Sequence, residues 1–290
     1  MKFTQNTTLI LDGAMGTELQ RRGIPTTLPL WSAHALFENP EVVKEIHKDY
    51  ILAGADIITT NTFRTQRRTL AKAGHEDETE AINRLAVDLA VQARKETRSS
   101  RRVHIAGSMT TLEDCYAPDL VPDNTTCRRE HAEQAQILAG TPIDFFLLET
   151  FNTVREARAA AEAVTRTGKP FAISFMTATN GHLLSGESLE DAIAAIDDLA
   201  PMAYLVNCQS PVTATRCILA LSELTSVPFG AYANGVGHPD IHHGWVFANG
   251  TSAEKYAEAA REWKAIGASI IGGCCGTTPE YTKAYNTLKS

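Results

Sequence analysis

Two adjacent cysteines, Cys274 and Cys275, stand in GGCCGT at 272–277, and a third, Cys208, stands in LVNCQS. Each follows a run of small or branched apolar residues of the kind that forms a buried strand, so all three thiols fall where strands give way to loops. Thiolates are soft ligands suited to zinc, and three of a tetrahedral set leave one position for an exchangeable group. Structural zinc is normally closed by four protein ligands, so this set points to a reactive centre that could hold a substrate thiol as its thiolate. Two other readings stay open: a metal that merely ties loops together, and inert or redox-active thiols. The adjacent pair lacks the two-residue spacer of a redox CxxC, and an iron–sulfur centre would want four spaced cysteines.

Other residues have the chemistry to hold small charged molecules. Asp12 in LDGAMG can pair with an ammonium, and the turn through Gly13 and Ala14 can present N–H groups to a carboxylate. The same segment is equally a strand-to-loop turn with Asp12 as its cap. Glu149 in LLETF is a second acid, with a helix-start or outward ion-pair role as the alternative. Asn207, beside Cys208, either orients that loop or contacts a substrate. Trp31 in PLWSA, with Asn61 and Phe63 in TTNTF, could shape a second-substrate cavity, where an aromatic face attracts an onium group by about 0.5–2 kcal/mol. Packing roles are open for all three, and for Trp245. His238, His242 and His243 with Asp240, in GHPDIHHG, are a conceivable second metal cluster, but Gly, Pro and Asp favour a polar loop between the seventh strand and its helix. Gly13 and Gly16 do not complete a dinucleotide fingerprint.

Positioning these residues requires strands ending on one side of the molecule. Short apolar runs at 8–11, 57–60, 103–106, 145–148, 171–175, 203–206, 228–231 and 268–271 read as eight strands. Segments 41–53, 78–96, 128–139, 153–166, 188–199, 214–224 and 253–266 carry helical periodicity, with Asn39-Pro40 as a start signal and Ser188 and Asp191 at capping-box spacing. Strands alternating with helices predict an α/β protein of the (β/α)8 TIM-barrel type, with a doubly wound open sheet as the alternative. In a barrel, Asp12, Asn61, Ser108, Glu149, Asn207, Cys208, Asn234 and Cys274 converge on the C-terminal mouth, where such folds carry their chemistry. No linker or break in composition divides the chain, so residues 1–290 are expected to form one barrel domain.

Of the 290 residues, 43% are hydrophobic and 21% charged, and 27 basic against 34 acidic residues give a net charge of -7. No basic run suits nucleic acid or an anionic membrane, and the Arg67-Arg68 and Arg101-Arg102 pairs read as solvated helix ends or loops. The N-terminus does not resemble a secretion signal, and no apolar stretch approaches the roughly 18–20 residues of a membrane helix. A cytoplasmic location is therefore expected, where six cysteines favour metal ligation over disulfides. Cys115, Cys127 and Cys217 read as ordinary core or surface residues. The oligomeric state is open.

Taken together, ILDGAMGTELQRRG at 10–23, PLWSA, AGADIITTNTF, LLETF, VNC and GGCCGTTPEY resemble the homocysteine S-methyltransferase family over most of the chain. That family includes betaine- and S-methylmethionine-dependent enzymes and the homocysteine-binding module of cobalamin-dependent methionine synthase. The resemblance implies a zinc-dependent enzyme on an eight-stranded barrel that methylates homocysteine to methionine. Cys208, Cys274 and Cys275 would be the zinc ligands. Homocysteine sulfur would take the open position, with Asp12, Gly13, Ala14 and Glu149 at its amino-acid end.

The same resemblance bears on the methyl donor. PLWSA is similar to the S-methylmethionine branch, whereas TTNTF is similar to the betaine- and cobalamin-linked branches and lacks the serine–tyrosine–glutamine run of many S-methylmethionine enzymes. The length leaves no room for the further segments of complete cobalamin-dependent methionine synthase and is short for the C-terminal extension of the betaine enzyme. The expected donor is S-methylmethionine, with S-adenosylmethionine as a weaker one. Betaine or another onium compound is the alternative, and a noncatalytic thiol or small-amine sensor is a second class.

Overall fold

The computed structural model describes residues 3–289 apart from 6 and 241–243. Its strands are β1 (Leu9–Ile10), β2 (Ile57–Thr59), β3 (His104–Met109), β4 (Phe145–Phe151), β5 (Phe171–Phe175), β6 (Tyr204–Asn207), β7 (Phe229–Ala233), β8 (Val236–Asp240), β9 (Gly244–Gly250) and β10 (Ile270–Gly273). Eight of them form one parallel sheet in the order β1-β10-β7-β6-β5-β4-β3-β2. A parallel bridge between Leu11 and Ile57 joins its two ends, reinforced by the Asp12 N–H on the Ile57 carbonyl at 2.9 Å and the Asp56 N–H on the Ile10 carbonyl at 2.7 Å. The sheet is a (β/α)8 barrel, and the open-sheet alternative falls on that closure.

Burial on both faces explains the apolar strands. Phe145, Leu147, Leu205 and Ile270 cluster with Leu11 and Ile57, while the alternating Phe146, Leu148, Val206 and Ile271 belong to the larger core shared with the helices. Helices Pro40–Ala53, Thr79–Glu96, Asn124–Ala139, Val154–Thr165, Pro211–Leu224 and Ala253–Ile266 lie where expected. The segment expected as one helix over 188–199 ends at Ala194 and resumes as a 3-10 turn at Asp197–Leu199. The Ser188–Asp191 capping box is complete, whereas Asn39 precedes its helix with no side-chain cap bond.

Two expectations are corrected. Residues 237–244 are not a strand-to-helix loop, because β8 and β9 pair as an antiparallel hairpin. His238 lies exposed on it, and His242 and His243 lie outside the described residues. The arginine pairs are only partly solvated. Arg101 donates to the carbonyls of Ile51, Gly54 and Ala55 and pairs with Asp56, and Arg68 joins Glu113 and Glu130. Among the described residues, no helix is long and apolar enough to cross a membrane.

Candidate metal centre and active site

The three cysteines meet at the C-terminal mouth. β7 lies between β6 and β10 in the sheet, and it fixes both thiol-bearing loops by accepting the Cys208 N–H on the Tyr232 carbonyl at 3.3 Å and the Cys274 N–H on the Ala233 carbonyl at 2.7 Å. The Tyr256 hydroxyl clamps the same strand ends, accepting the Ala233 N–H at 2.8 Å and donating to the Gly272 carbonyl at 2.6 Å. Cys208 has φ 59°, a left-handed value rare outside glycine and costing about 1–3 kcal/mol, which the neighbouring bonds hold in place. Gly276, at φ 77°, carries the tight turn after Cys275, and a Cβ there would lie 2.1 Å from the Val236 carbonyl oxygen.

The Sγ atoms of Cys208, Cys274 and Cys275 all lie within 4.8 Å of one another. Three thiols this close cannot ionise independently. Hydrogen bonds from Cys208 and Cys274 draw the Cys275 thiol down to about 5, while Cys208 is pushed well above its ordinary value. A set that already shares its protons is a good fit for a soft divalent cation that displaces them, and three cysteine thiolates are a donor set suited to zinc.

Two carboxylates flank the thiols. Asp12, at the end of β1, accepts the Thr59 N–H at 2.7 Å and the Thr59 hydroxyl at 2.9 Å. Glu149, within β4, accepts from the Ser108 hydroxyl, and from the Tyr232 hydroxyl at 3.3 Å. Burial raises both to about 8, against the lowering effect of those hydrogen bonds. Two buried acids with no cation beside them among the described residues suit an ammonium ligand, which would ionise both.

A cavity of about 300 Å³ connects these groups. Asp12, Gly13, Ala14, Glu149 and the three thiols line it together with Trp31, Asn61, Phe63, Tyr116 and Trp245, and Phe63 packs against the cluster that holds Cys115 and Cys208. The Asn61 amide donates to the Ser32 carbonyl at 2.9 Å, holding the Trp31 segment, and its Oδ1 is buried with no partner. Trp31 itself lies between two glycines: a Cβ on Gly16 would come within 2.4 Å of the indole nitrogen, and one on Gly244 within 2.2 Å of the ring. Gly16→Ala should therefore push the indole into the cavity and cost about 1–3 kcal/mol, read by urea unfolding. Wild-type stability in that variant would contradict the wedge.

The lining holds every candidate metal, homocysteine and donor residue except Asn207, and of the other strand-end residues expected at the mouth it lacks Ser108 and Asn234. Asn207 faces away from the cavity lining: its Oδ1 accepts the Thr150 N–H at 3.1 Å and the Ser174 hydroxyl at 2.6 Å, tying β4, β5 and β6 together. Cys127 and Cys217 are core residues, but Cys115 lines the cavity beside Cys208. Sequence reasoning missed Arg64, Asp114, Tyr116 and Tyr232 on the lining. Arg64 could have been found as a charge just beyond a strand end. Tyr116 carries no such signal, since it follows a loop of irregular length.

A closed eight-stranded barrel with a thiol triad at its C-terminal mouth, flanked by buried carboxylates and an aromatic-walled cavity, defines a metal-dependent barrel enzyme acting on a thiol. The profile of the homocysteine S-methyltransferase family matches residues 9–288, and the chain belongs to that family. It is 32% identical over 284 residues to the homocysteine S-methyltransferase of Escherichia coli K12, covering 93% of this chain and 92% of that protein. It is 30% identical to a selenocysteine methyltransferase of Astragalus bisulcatus, covering 97% and 92%. The metallated form of the homocysteine methyltransferase MmuM from Escherichia coli superposes with a TM-score of 0.86 at 29% identity, covering 98% of this chain and 96% of that one. The thiol triad together with that metallated relative supports zinc as the cofactor.

Proposed function

We propose that this homocysteine S-methyltransferase takes its methyl group from S-methylmethionine, as one homocysteine-binding barrel domain over residues 1–290. The observation that carries the reading is one cavity lined by both the three thiols and several aromatic rings. Cys208, Cys274 and Cys275 would hold zinc, which when bound supplies the positive charge that keeps the homocysteine sulfur a thiolate at neutral pH.

The chain's own residues do the rest. Asp12 and Glu149 take the homocysteine ammonium, exchanging a buried proton for a fixed cation, while the turn at Gly13 and Ala14 faces its carboxylate. Asn207 acts through Thr150 to keep the end of β4 in place. Trp31, Phe63 and Trp245 surround the sulfonium, whose charge the ring faces favour. Asn61 keeps the Trp31 segment seated. The S–CH3 bond of the donor breaks as the new one forms on homocysteine, so each turnover yields two methionines, and alignment in a dry cavity supplies much of the acceleration. Three thiols that must stay reduced fit a cytoplasmic location.

Supplying reduced, zinc-loaded protein with homocysteine and methyl-deuterated S-methylmethionine tests this directly. Labelled methionine is the expected product by mass. If homocysteine and zinc bind but label does not transfer, the donor assignment fails. Product from betaine would then identify the donor, and no product from any onium compound would leave a sensor.

A further inference from the structure

Arg64 is the one cationic side chain among the described residues that line the cavity. Its Nη1 reaches the Glu113 carbonyl at only 3.5 Å, and its Nε is buried with no partner. The other half-buried arginines Arg68, Arg94, Arg101 and Arg158 each have a carboxylate oxygen at 2.7–3.0 Å. Arg64 has none among the described residues. Its guanidinium instead rests 5.7 Å from the centre of the Phe63 ring. A half-buried guanidinium with no carboxylate beside it suits an anionic ligand. The terminal Nη groups, of which Nη1 is held only by that 3.5 Å contact, can donate to a carboxylate.

Asp114 lines the same cavity. Its Oδ1 accepts the Tyr116 N–H at 2.9 Å, and its Oδ2 makes no hydrogen bond among the described residues. The two side chains offer one cation and one anion in the same cavity. On the methyl-transfer reading, Asp12, Glu149 and the Gly13–Ala14 turn already provide for the amino-acid end of homocysteine. A second zwitterion in the cavity must belong to the other substrate.

We propose that Arg64 binds the α-carboxylate of the methyl donor and Asp114 its α-ammonium, so that the cavity selects onium donors that are themselves amino acids. The proposal rests on the methyl-transfer reading above. It also separates donors of the same reactivity. Betaine offers a carboxylate but no N–H, and trimethylsulfonium offers neither.

The test compares wild type with Arg64→Gln, Arg64→Lys and Asp114→Asn, all zinc-loaded, using S-methylmethionine and trimethylsulfonium as donors. Losing a charge-assisted pair should raise the S-methylmethionine KM of R64Q about tenfold or more, with kcat nearly unchanged. R64K should recover part of that loss, and D114N should show a smaller rise. The homocysteine KM, the melting temperature and kcat/KM for trimethylsulfonium should stay within about twofold or a degree of wild type. Equal losses with both donors would overturn the proposal and make Arg64 a packing residue. A rise confined to the homocysteine KM would overturn it by assigning Arg64 to the acceptor. Calorimetric binding of S-methylmethionine separates this inference from the reaction itself. If wild type binds the compound without turnover and R64Q binds it tenfold more weakly, Arg64 stands while the transfer reading fails.

Discussion

Serine at Cys208, Cys274 or Cys275 is expected to strip the protein of both its metal and its methyl transfer. A serine hydroxyl keeps its proton at neutral pH and is a poor ligand for a soft cation, so two thiolates remain where three converge within 4.8 Å. Loss of a mere outer partner of a zinc ligand typically lowers affinity or activity about 10–100-fold. Loss of a ligand should lower kcat/KM by more than about a hundredfold, with zinc per protein falling from near one toward zero by elemental analysis. Cys115→Ser is the matched control, because Cys115 lines the cavity but is outside the triad. Stoichiometric zinc and full activity in all three triad variants would remove the basis for a metal mechanism.

Glu149→Gln should act on a different quantity, the response of the metal-free, substrate-free protein to pH. Burial raises Glu149 from 4.5 and Asp12 from 3.8, each to about 8. The folded protein therefore keeps protons there that the unfolded chain releases near pH 4. Their contribution to stability is complete below about pH 4 and is lost progressively as pH rises through 8. The wild-type melting temperature should fall between pH 5 and 8 by on the order of 5 °C, and E149Q, which has no proton to lose, should flatten that slope. The same variant should raise the homocysteine KM about tenfold or more, since one of two charges facing the ammonium is gone. An unchanged slope together with an unchanged KM would place Glu149 outside the site.

The barrel was legible because its strands are buried on both faces and announce themselves as apolar runs, such as 171–175, which the structure reproduces as Phe171–Phe175. The hairpin was not. Val236–Asp240 contains Gly237, His238 and Pro239, and its residues are exposed or half-buried, so backbone pairing with β9 rather than burial makes it a strand. The short helix Gly16–Arg21 covers too few turns to show a period. In the site, the convergence of the thiols was legible from residue type at strand ends, whereas Asp12 and Glu149 stood out from ordinary turn and helix-start acids only through the family resemblance. The orientation of Asn207 was not, because the same amide at the end of β6 can face the mouth or the neighbouring strands. Only the partners Thr150 and Ser174 decide between them. Arg64 and Asp114 reach the same cavity through loops after β2 and β3, a convergence that exists only once the barrel has closed.

The placement of two thiols on the loop after β10 also sets a timetable during synthesis. While the ribosome is still translating, the emerged chain carries Cys208 alone among the three, and a solitary thiol has little hold on zinc. At about 5–20 residues per second, the 66 residues from Cys208 to Cys274 take several seconds to emerge. If these cysteines are the zinc ligands, the full donor set therefore exists only after both thiols of the loop after β10 have been added.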